Sequence, residues 1–301
     1  MENNSRYTEP VIKGEKYRIM LPEGIALILE GGGTRGFFSA GVLDAFMESG
    51  VMFPYIAGVS AGAANALSYV SGQFRRNRVL LEKYVGLPQY LGYRNLLTHR
   101  SMFGYDFVFK TVPERHLFWD KDVFDQTQIR LLTGAIDCKT GETVWFEKQE
   151  VKPGFEVTRA SCSIPLVSKM VEYGGFMLLD GGVASPIPIE KSIEDGNRFH
   201  VIVLTRNAGY EKPPFKHKAI LRLVYGKYPK LVEALLNRHK VYNRQLLLCE
   251  QLSAEGKALI IRPQQLIEME STNRSIPTIL RVYDEGYEEG LKAIDRILSQ
   301  K

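Results

Sequence analysis

Cysteine is scarce in this chain of 301 residues: only Cys138, Cys162 and Cys249, far apart and odd in number. That spacing supplies neither a paired disulfide framework nor the close ligand pattern of a zinc site, so three reduced thiols and no metal are expected. Long apolar runs are also missing. No stretch reaches the roughly 18 consecutive apolar residues of a spanning helix, and the polar opening Met1-Glu2-Asn3-Asn4-Ser5-Arg6 leads into no signal-peptide core. A cytoplasmic location, with peripheral membrane contact allowed, is the resulting expectation. The charge excess is small, a formal +5, mildly favouring anionic partners such as a phospholipid surface. Basic residues do not interleave with stacking aromatics, which argues against nucleic acid. The clusters Arg75-Arg76-Asn77-Arg78 and Lys216-His217-Lys218 read as solvated faces.

With 45% hydrophobic residues, no repeat and no linker, the chain reads as a single domain over residues 1–301. Its motifs fall in 24–190 and a helical part occupies about 220–301. Residues 24–30 form an apolar run expected to be a buried strand. A glycine-rich turn, 31–36, leads into a helix carrying Val42, Leu43 and Phe46 at helical spacing and stopped by Gly50. A second apolar run, Tyr55-Ile56-Ala57, precedes Gly58-Val59-Ser60-Ala61-Gly62 and another helix. This alternation predicts an α/β protein with a mostly parallel sheet. Further along, 129–136 and 142–146 predict a hairpin, 155–163 a helix, and 166–171 with 176–179 two strands around Gly174-Gly175. Residues 200–205 and 257–261 predict strands, and 229–252 and 277–298 helices. Residues 72–124, basic and aromatic, are expected to cover the site as helices and loops.

A serine in a G-x-S-x-G turn between strand and helix is a nucleophile elbow, lifted clear of the packing by its glycine neighbours. Acyl transfer at Ser60 also needs donors for the developing oxyanion and a base for the hydroxyl proton. Gly31, Gly32 and Gly33 lie where backbone N–H groups converge at the positive end of a helix. Arg35 could hold that loop or meet a lipid phosphate, and Phe37 and Phe38 could line an acyl site. Asp180, in Asp180-Gly181-Gly182 after an apolar run, could take the serine proton directly if partial burial raises its proton affinity.

Four blocks in order, Gly31-Gly32-Gly33-Thr34-Arg35-Gly36, Gly58-Val59-Ser60-Ala61-Gly62, Ala160-Ser161-Cys162-Ser163-Ile164-Pro165 and Asp180-Gly181-Gly182, resemble the patatin-like phospholipases. The resemblance implies a three-layer α/β/α fold and a Ser-Asp dyad, with Ser60 as nucleophile and Asp180 as base. It also implies hydrolysis of fatty-acyl esters in phospholipids or related lipids, without a metal or cofactor. Other readings compete. Gly31-x-Gly33-x-x-Gly36 fits a dinucleotide turn, but no acidic residue ends the second strand to hold a ribose. A Ser-His-Asp triad could draw on His99, His116, His200, His217 or His239, yet an elbow as early as residue 60 suits that arrangement poorly. The aromatics of 103–119 could be a lid, an acyl pocket or ordinary core. A lipid carrier with a vestigial serine is the alternative of another class.

Overall fold

The computed structural model describes residues 19–99, 101–151, 155–265 and 275–300. Strand β1 (Ile19–Met20) precedes β2 (Ile25–Leu29), in which all five residues are buried. A 3-10 turn, Gly33–Gly36, opens helix α1 (Phe37–Glu48). Next come β3 (Val51–Met52), paired with β1, then β4 (Tyr55–Val59) and α2 (Ala61–Val70). The expected covering region contains α3 (Arg76–Leu80), α4 (Tyr93–His99), α5 (Lys121–Gln126) and two π-helical stretches, Leu81–Val85 and Phe107–His116. Strands β5 (Arg130–Asp137) and β6 (Thr143–Glu147) make the expected hairpin. After α6 (Glu156–Ser161), strands β7 (Val171–Tyr173) and β8 (Phe176–Asp180) pair antiparallel. Helix α7 (Ile189–Glu194) and β9 (Phe199–Val203) follow, then α8 (Lys218–Tyr225), α9 (Pro229–Ala254), β10 (Ala258–Ile261) and α10 (Ile276–Leu298). Among the described residues no helix is long and apolar enough to cross a membrane.

One expected strand is shorter than its apolar run. Residues 166–170 stay outside β7: Leu166 adopts a left-handed φ of 72° directly after Pro165, and the chain turns through 165–168 before the strand begins.

The main sheet runs β10-β9-β2-β4-β5, all parallel, and β8 and β7 extend it antiparallel. Parallel strands covered on both faces read as continuous apolar runs, and successive residues face opposite layers. Leu27, Leu29 and Ile56 enter the core shared with α1, α2 and α10. Ala26, Ile28 and Ala57 enter the other, shared with α7 and α9. These are the three layers.

Two details of this frame place the site. β4 follows β5 up to the pair Val59↔Gly134, and β8 begins pairing at Ala135↔Asp180 from the opposite direction. Since β6 already occupies the other edge of β5 at these residues, β4 and β8 meet end to end on one edge. The residue leaving β4 is Ser60 and the residue ending β8 is Asp180. Helix α10 then crosses α1 at backbone contact, such that a Cβ on Gly286 would stand 2.0 Å from the Phe38 carbonyl oxygen.

That crossing buries a carboxyl. Asp44 of α1 is fully buried and accepts hydrogen bonds from the Arg75 N–H and the Tyr283 hydroxyl. Burial pushes its pKa up to about 7, against the pull of those bonds and of Arg75 and Arg78. A raised carboxyl pKa favours folding below the unfolded value near 4 and loses that contribution as pH rises through 7. Relative to wild type, Asp44→Asn is therefore expected to gain about 4 kcal/mol of unfolding free energy between about pH 4 and pH 8. Urea titrations of both proteins at the two pH values check this; a constant difference refutes it.

Candidate active site

Ser60 sits between β4 and α2 with φ 53° and ψ −129°, a conformation rarely tolerated outside glycine. The elbow is held by close approach: a Cβ on Gly62 would lie 2.6 Å from the Leu29 carbonyl oxygen, so the turn can press against β2 only with glycine there. The Ser60 hydroxyl donates to Asp180 Oδ2 at 2.7 Å. Asp180 is fixed by the Gly182 N–H, which donates to Oδ1 at 2.8 Å. Both residues are 6% exposed, so water does not screen the pair. Burial raises the Asp180 pKa above the ordinary carboxylate range, opposed by the bond from Ser60, the charge of Arg238 and the Gly182 N–H. No histidine hydrogen-bonds to either residue among those described. His200 is buried, pairs with Ser192 and is held neutral, its pKa lowered to about 4 by burial.

The block 160–165 supports the elbow directly. Ser161 Oγ accepts from the Ser60 N–H at 2.8 Å and donates to the Gly134 carbonyl at 2.6 Å. It bridges the nucleophile's backbone to β5, a task not readable from spacing alone. Ser163 adds its carbonyl, which accepts from the Asp180 N–H at 2.9 Å.

The glycine turn divides the expected donors. The Gly31 N–H is engaged by the Pro186 carbonyl at 3.3 Å, which corrects its assignment as an oxyanion donor. The N–H groups of Gly32 and Gly33 have no such partner among the described residues. Asn65 of α2 donates to the Gly36 carbonyl at 2.7 Å and ties the turn to the elbow helix.

A cavity of about 110 Å³ opens from Ser60, with Gly33, Ala61 and Phe37 at its near end. Phe103, Tyr105, Phe109, Trp119 and Phe155 form much of its wall, so the aromatics of 103–119 serve both core and cavity. Phe38 does not line it. Adjacent helical residues point about 100° apart, and Phe38, fully buried, turns into the core beneath α10. Cys162 also borders the cavity; all three cysteines are free.

Arg35 lies outside the cavity, on the side of the turn facing Glu30. Burial lowers its pKa and the charge of Arg206 adds to this, while Glu30 opposes. Glu30 is buried and accepts from the Thr205 N–H at 2.5 Å, pinning the turn to the end of β9. Three further cations collect here. The Arg206 guanidinium stacks 4.4 Å over the Tyr210 ring, Lys212 Nζ lies 5.3 Å over Tyr242, and those two rings meet edge-on. Arg238, one turn before Tyr242 on α9, donates to the Gly182 carbonyl at 2.6 Å. Burial lowers the Lys212 pKa to about 7, and Arg238, Arg35 and Arg206 push the same way while Glu30 resists.

The expectation of a solvated face at Arg75-Arg76-Asn77-Arg78 is overturned for its last three residues, each less than a tenth exposed. Arg78 pairs with Glu82 and Asp284. Arg76 borders the cavity and donates to the Leu117 carbonyl at 3.0 Å; burial lowers its pKa to about 10. Glu82 is a local i,i+4 partner, but Leu117 and Asp284 lie too far along the chain for local charge pattern to reveal them.

Residues 228–300 match a domain of unknown function, DUF6363. The chain is 23% identical to the protein YjjU of Escherichia coli (strain K12), over 93% of this chain and 80% of that one. It is 25% identical to lysophospholipase NTE1 of Debaryomyces hansenii over 62% of this chain, which spans 12% of that much longer protein. The crystal structure of VipD from Legionella pneumophila aligns with a TM-score of 0.47 at 14% identity, covering 95% of this chain and 70% of VipD. Residues 27–192, which hold the elbow, the glycine turn and Asp180, match the patatin-like phospholipases. The chain belongs to the patatin-like phospholipase family of lipid acyl-ester hydrolases.

Proposed function

We propose that this protein hydrolyses fatty-acyl esters of phospholipids or lysophospholipids through an acyl-enzyme on Ser60. The observation that carries the proposal is the buried 2.7 Å hydrogen bond from Ser60 to Asp180 at the mouth of an apolar cavity. Ser60 Oγ attacks the ester carbonyl as its proton passes to Asp180 Oδ2, and the carbonyl electrons move onto oxygen. The Gly32 and Gly33 N–H groups, with the Ala61 N–H at the start of α2, stabilise that oxyanion. Collapse expels the alkoxide of the lysolipid or glycerol part, which takes the proton from Asp180. Water then attacks the acyl-serine with Asp180 again as base, releasing the fatty acid and restoring Ser60. The burial that raises the Asp180 pKa gives its carboxylate more proton affinity than an exposed aspartate has.

An anionic head group is favoured over a neutral one by Arg206, Lys212 and Arg238. Arg238 donates to the Gly182 carbonyl beside Asp180, Arg206 and Lys212 lie against the adjoining Tyr210 and Tyr242 rings, and none forms an ion pair with a carboxylate among the described residues. The lysophospholipase name of the yeast relative supports a phospholipid or lysophospholipid substrate.

Fluorophosphonate labelling tests the nucleophile. The probe is expected to modify Ser60 in wild type and to leave Ser60→Ala unlabelled, whereas an unlabelled, folded wild type would favour a lipid carrier. For the head group, Arg206→Ala/Lys212→Ala is expected to raise KM for palmitoyl lysophosphatidylglycerol about tenfold, corresponding to loss of one to two charge-assisted contacts. Turnover of monopalmitoylglycerol should stay as in wild type; equal losses on both lipids would remove the head-group assignment.

A further inference from the structure

Helix α8 and the segment entering it carry a charge pattern found nowhere else in the chain. From residue 212 to 232 the sequence holds Lys212, Lys216, Lys218, Arg222, Lys227 and Lys230 and no aspartate or glutamate. Acidic residues resume only at the borders: Glu211, near Asn243, and Glu233, paired with Lys230. Lys216, Lys218, Arg222 and Lys227 are exposed and form no ion pair within the described chain.

The helix is amphipathic in an unusual sense. Leu221 and Tyr225, one turn apart, are buried against Leu231, Val232 and the sheet, which accounts for its inner face. The outer face is also apolar. Ile220, Leu223 and Val224, at i, i+3 and i+4, are 43%, 85% and 53% exposed, and Phe215 precedes them at 37%. Water gains nothing from such a row, and cations flank it on both sides.

We infer that this outer face of α8, with Phe215, is the surface by which the protein docks on an anionic phospholipid bilayer. Aliphatic and aromatic side chains enter the boundary between head groups and acyl chains, while the flanking lysines and arginine stay level with the phosphates. Absence of acidic residues across the whole segment removes the repulsion that would otherwise oppose a negative surface. Position supports the same partner. The Tyr225 hydroxyl accepts from the Leu166 N–H at 2.7 Å, and Leu166 and Met170 pack on the inner face of α8. Leu166 closely follows Cys162 and Ile164, which line the acyl cavity. One loop thus joins the docking helix to the wall of the site, keeping a lipid source near the cavity. Docking does not depend on the Ser60 chemistry proposed above.

The test uses Ser60→Ala protein, so that vesicle lipids stay intact whatever the activity. Sedimentation with vesicles of equal parts phosphatidylcholine and phosphatidylglycerol is expected to carry the protein down, and phosphatidylcholine alone should retain little. Added salt should weaken the binding. Leu223→Glu/Val224→Glu and Lys216→Glu/Lys218→Glu/Arg222→Glu are each expected to reduce binding about tenfold or more. With Ser60 restored, both sets should hydrolyse a soluble nitrophenyl ester at the wild-type rate, which shows that they fold. No binding, equal binding to neutral vesicles, or variants that bind like the parent would overturn the inference. So would a dimer, detected by ultracentrifugation, that Leu223→Glu/Val224→Glu dissociates without altering vesicle binding. A wild type inert on soluble ester would count against the dyad and leave the vesicle result standing.

Discussion

Asp180→Asn is expected to lower kcat on a soluble nitrophenyl ester by about 10²- to 10⁴-fold, the range associated with loss of a general base. The substitution preserves shape: an amide oxygen can still accept from Gly182 N–H, so the loss should come from proton affinity and not from collapse of the turn. Ser60→Ala should fall at least as far. In wild type the pH dependence carries a sign that separates catalysis from folding. Burial raises the Asp180 pKa, so activity, which needs the ionised carboxylate, should fall as pH drops through that raised value. The stability contribution runs oppositely. A carboxyl with a raised folded pKa favours the fold below its unfolded pKa and loses that contribution as pH rises through the folded one. From this residue alone, acid should therefore silence the enzyme without unfolding it. Rate profiles on wild type, with thermal melts of wild type and Asp180→Asn across the same pH range, check both halves. Substantial turnover by purified, folded Asp180→Asn would end the dyad proposal.

Much of this site was legible because strand ends carry local signals. Gly58, Ser60 and Gly62 follow an apolar run, Asp180 ends another, and the glycine turn stands between strand and helix. The turn and the elbow lie where the parallel strands β2 and β4 deliver their termini, and the antiparallel β8 brings Asp180 to meet the end of β4. What remained hidden depends on who sits across a gap. Gly31 looks like its neighbours in sequence, yet its N–H is taken by the carbonyl of Pro186, more than 150 residues away. Phe37 and Phe38 look alike, but a helix can aim only one of them at the cavity. Arg76 and Arg78 read as solvated because their acceptors, Leu117 and Asp284, are remote. Ser161 is one small residue among several in the sequence, and its role comes from the end of β4 resting on it. The cations at Arg206, Lys212 and Arg238 share no motif; the loop after β9 and one turn of α9 bring them together. Element boundaries held where apolar periodicity was strong, as in β2 and α9. They shifted where the chain turns before the strand begins, as at Leu166.

Gly286→Ala offers a test in which propensity and packing predict opposite signs. In an exposed helix, replacing glycine by alanine stabilises by about 1 kcal/mol. Here a Cβ would stand 2.0 Å from the Phe38 carbonyl oxygen, and the reciprocal position Gly41 would meet the Tyr283 carbonyl at the same 2.0 Å. Both obstacles are backbone, so no rotamer change relieves them; the two helices must separate. Separation opens the core that Phe38, Ile279 and Tyr283 share, and it breaks the bond from the Tyr283 hydroxyl to Asp44. We expect Gly286→Ala to destabilise by roughly 3 kcal/mol or more and Gly286→Val to yield little folded protein, in keeping with overpacking against a backbone that cannot yield. Urea midpoints for the alanine variant and soluble yield for the valine variant measure this; an alanine variant as stable as wild type would show that the crossing is looser than 2.0 Å implies. The same strain should reach the site. Phe37, which borders the cavity, adjoins the carbonyl that Gly286 faces, and α1 begins at the turn carrying Gly32 and Gly33. Under conditions where the alanine variant remains folded, its kcat on soluble ester should therefore fall as well, although Gly286 touches neither Ser60 nor Asp180.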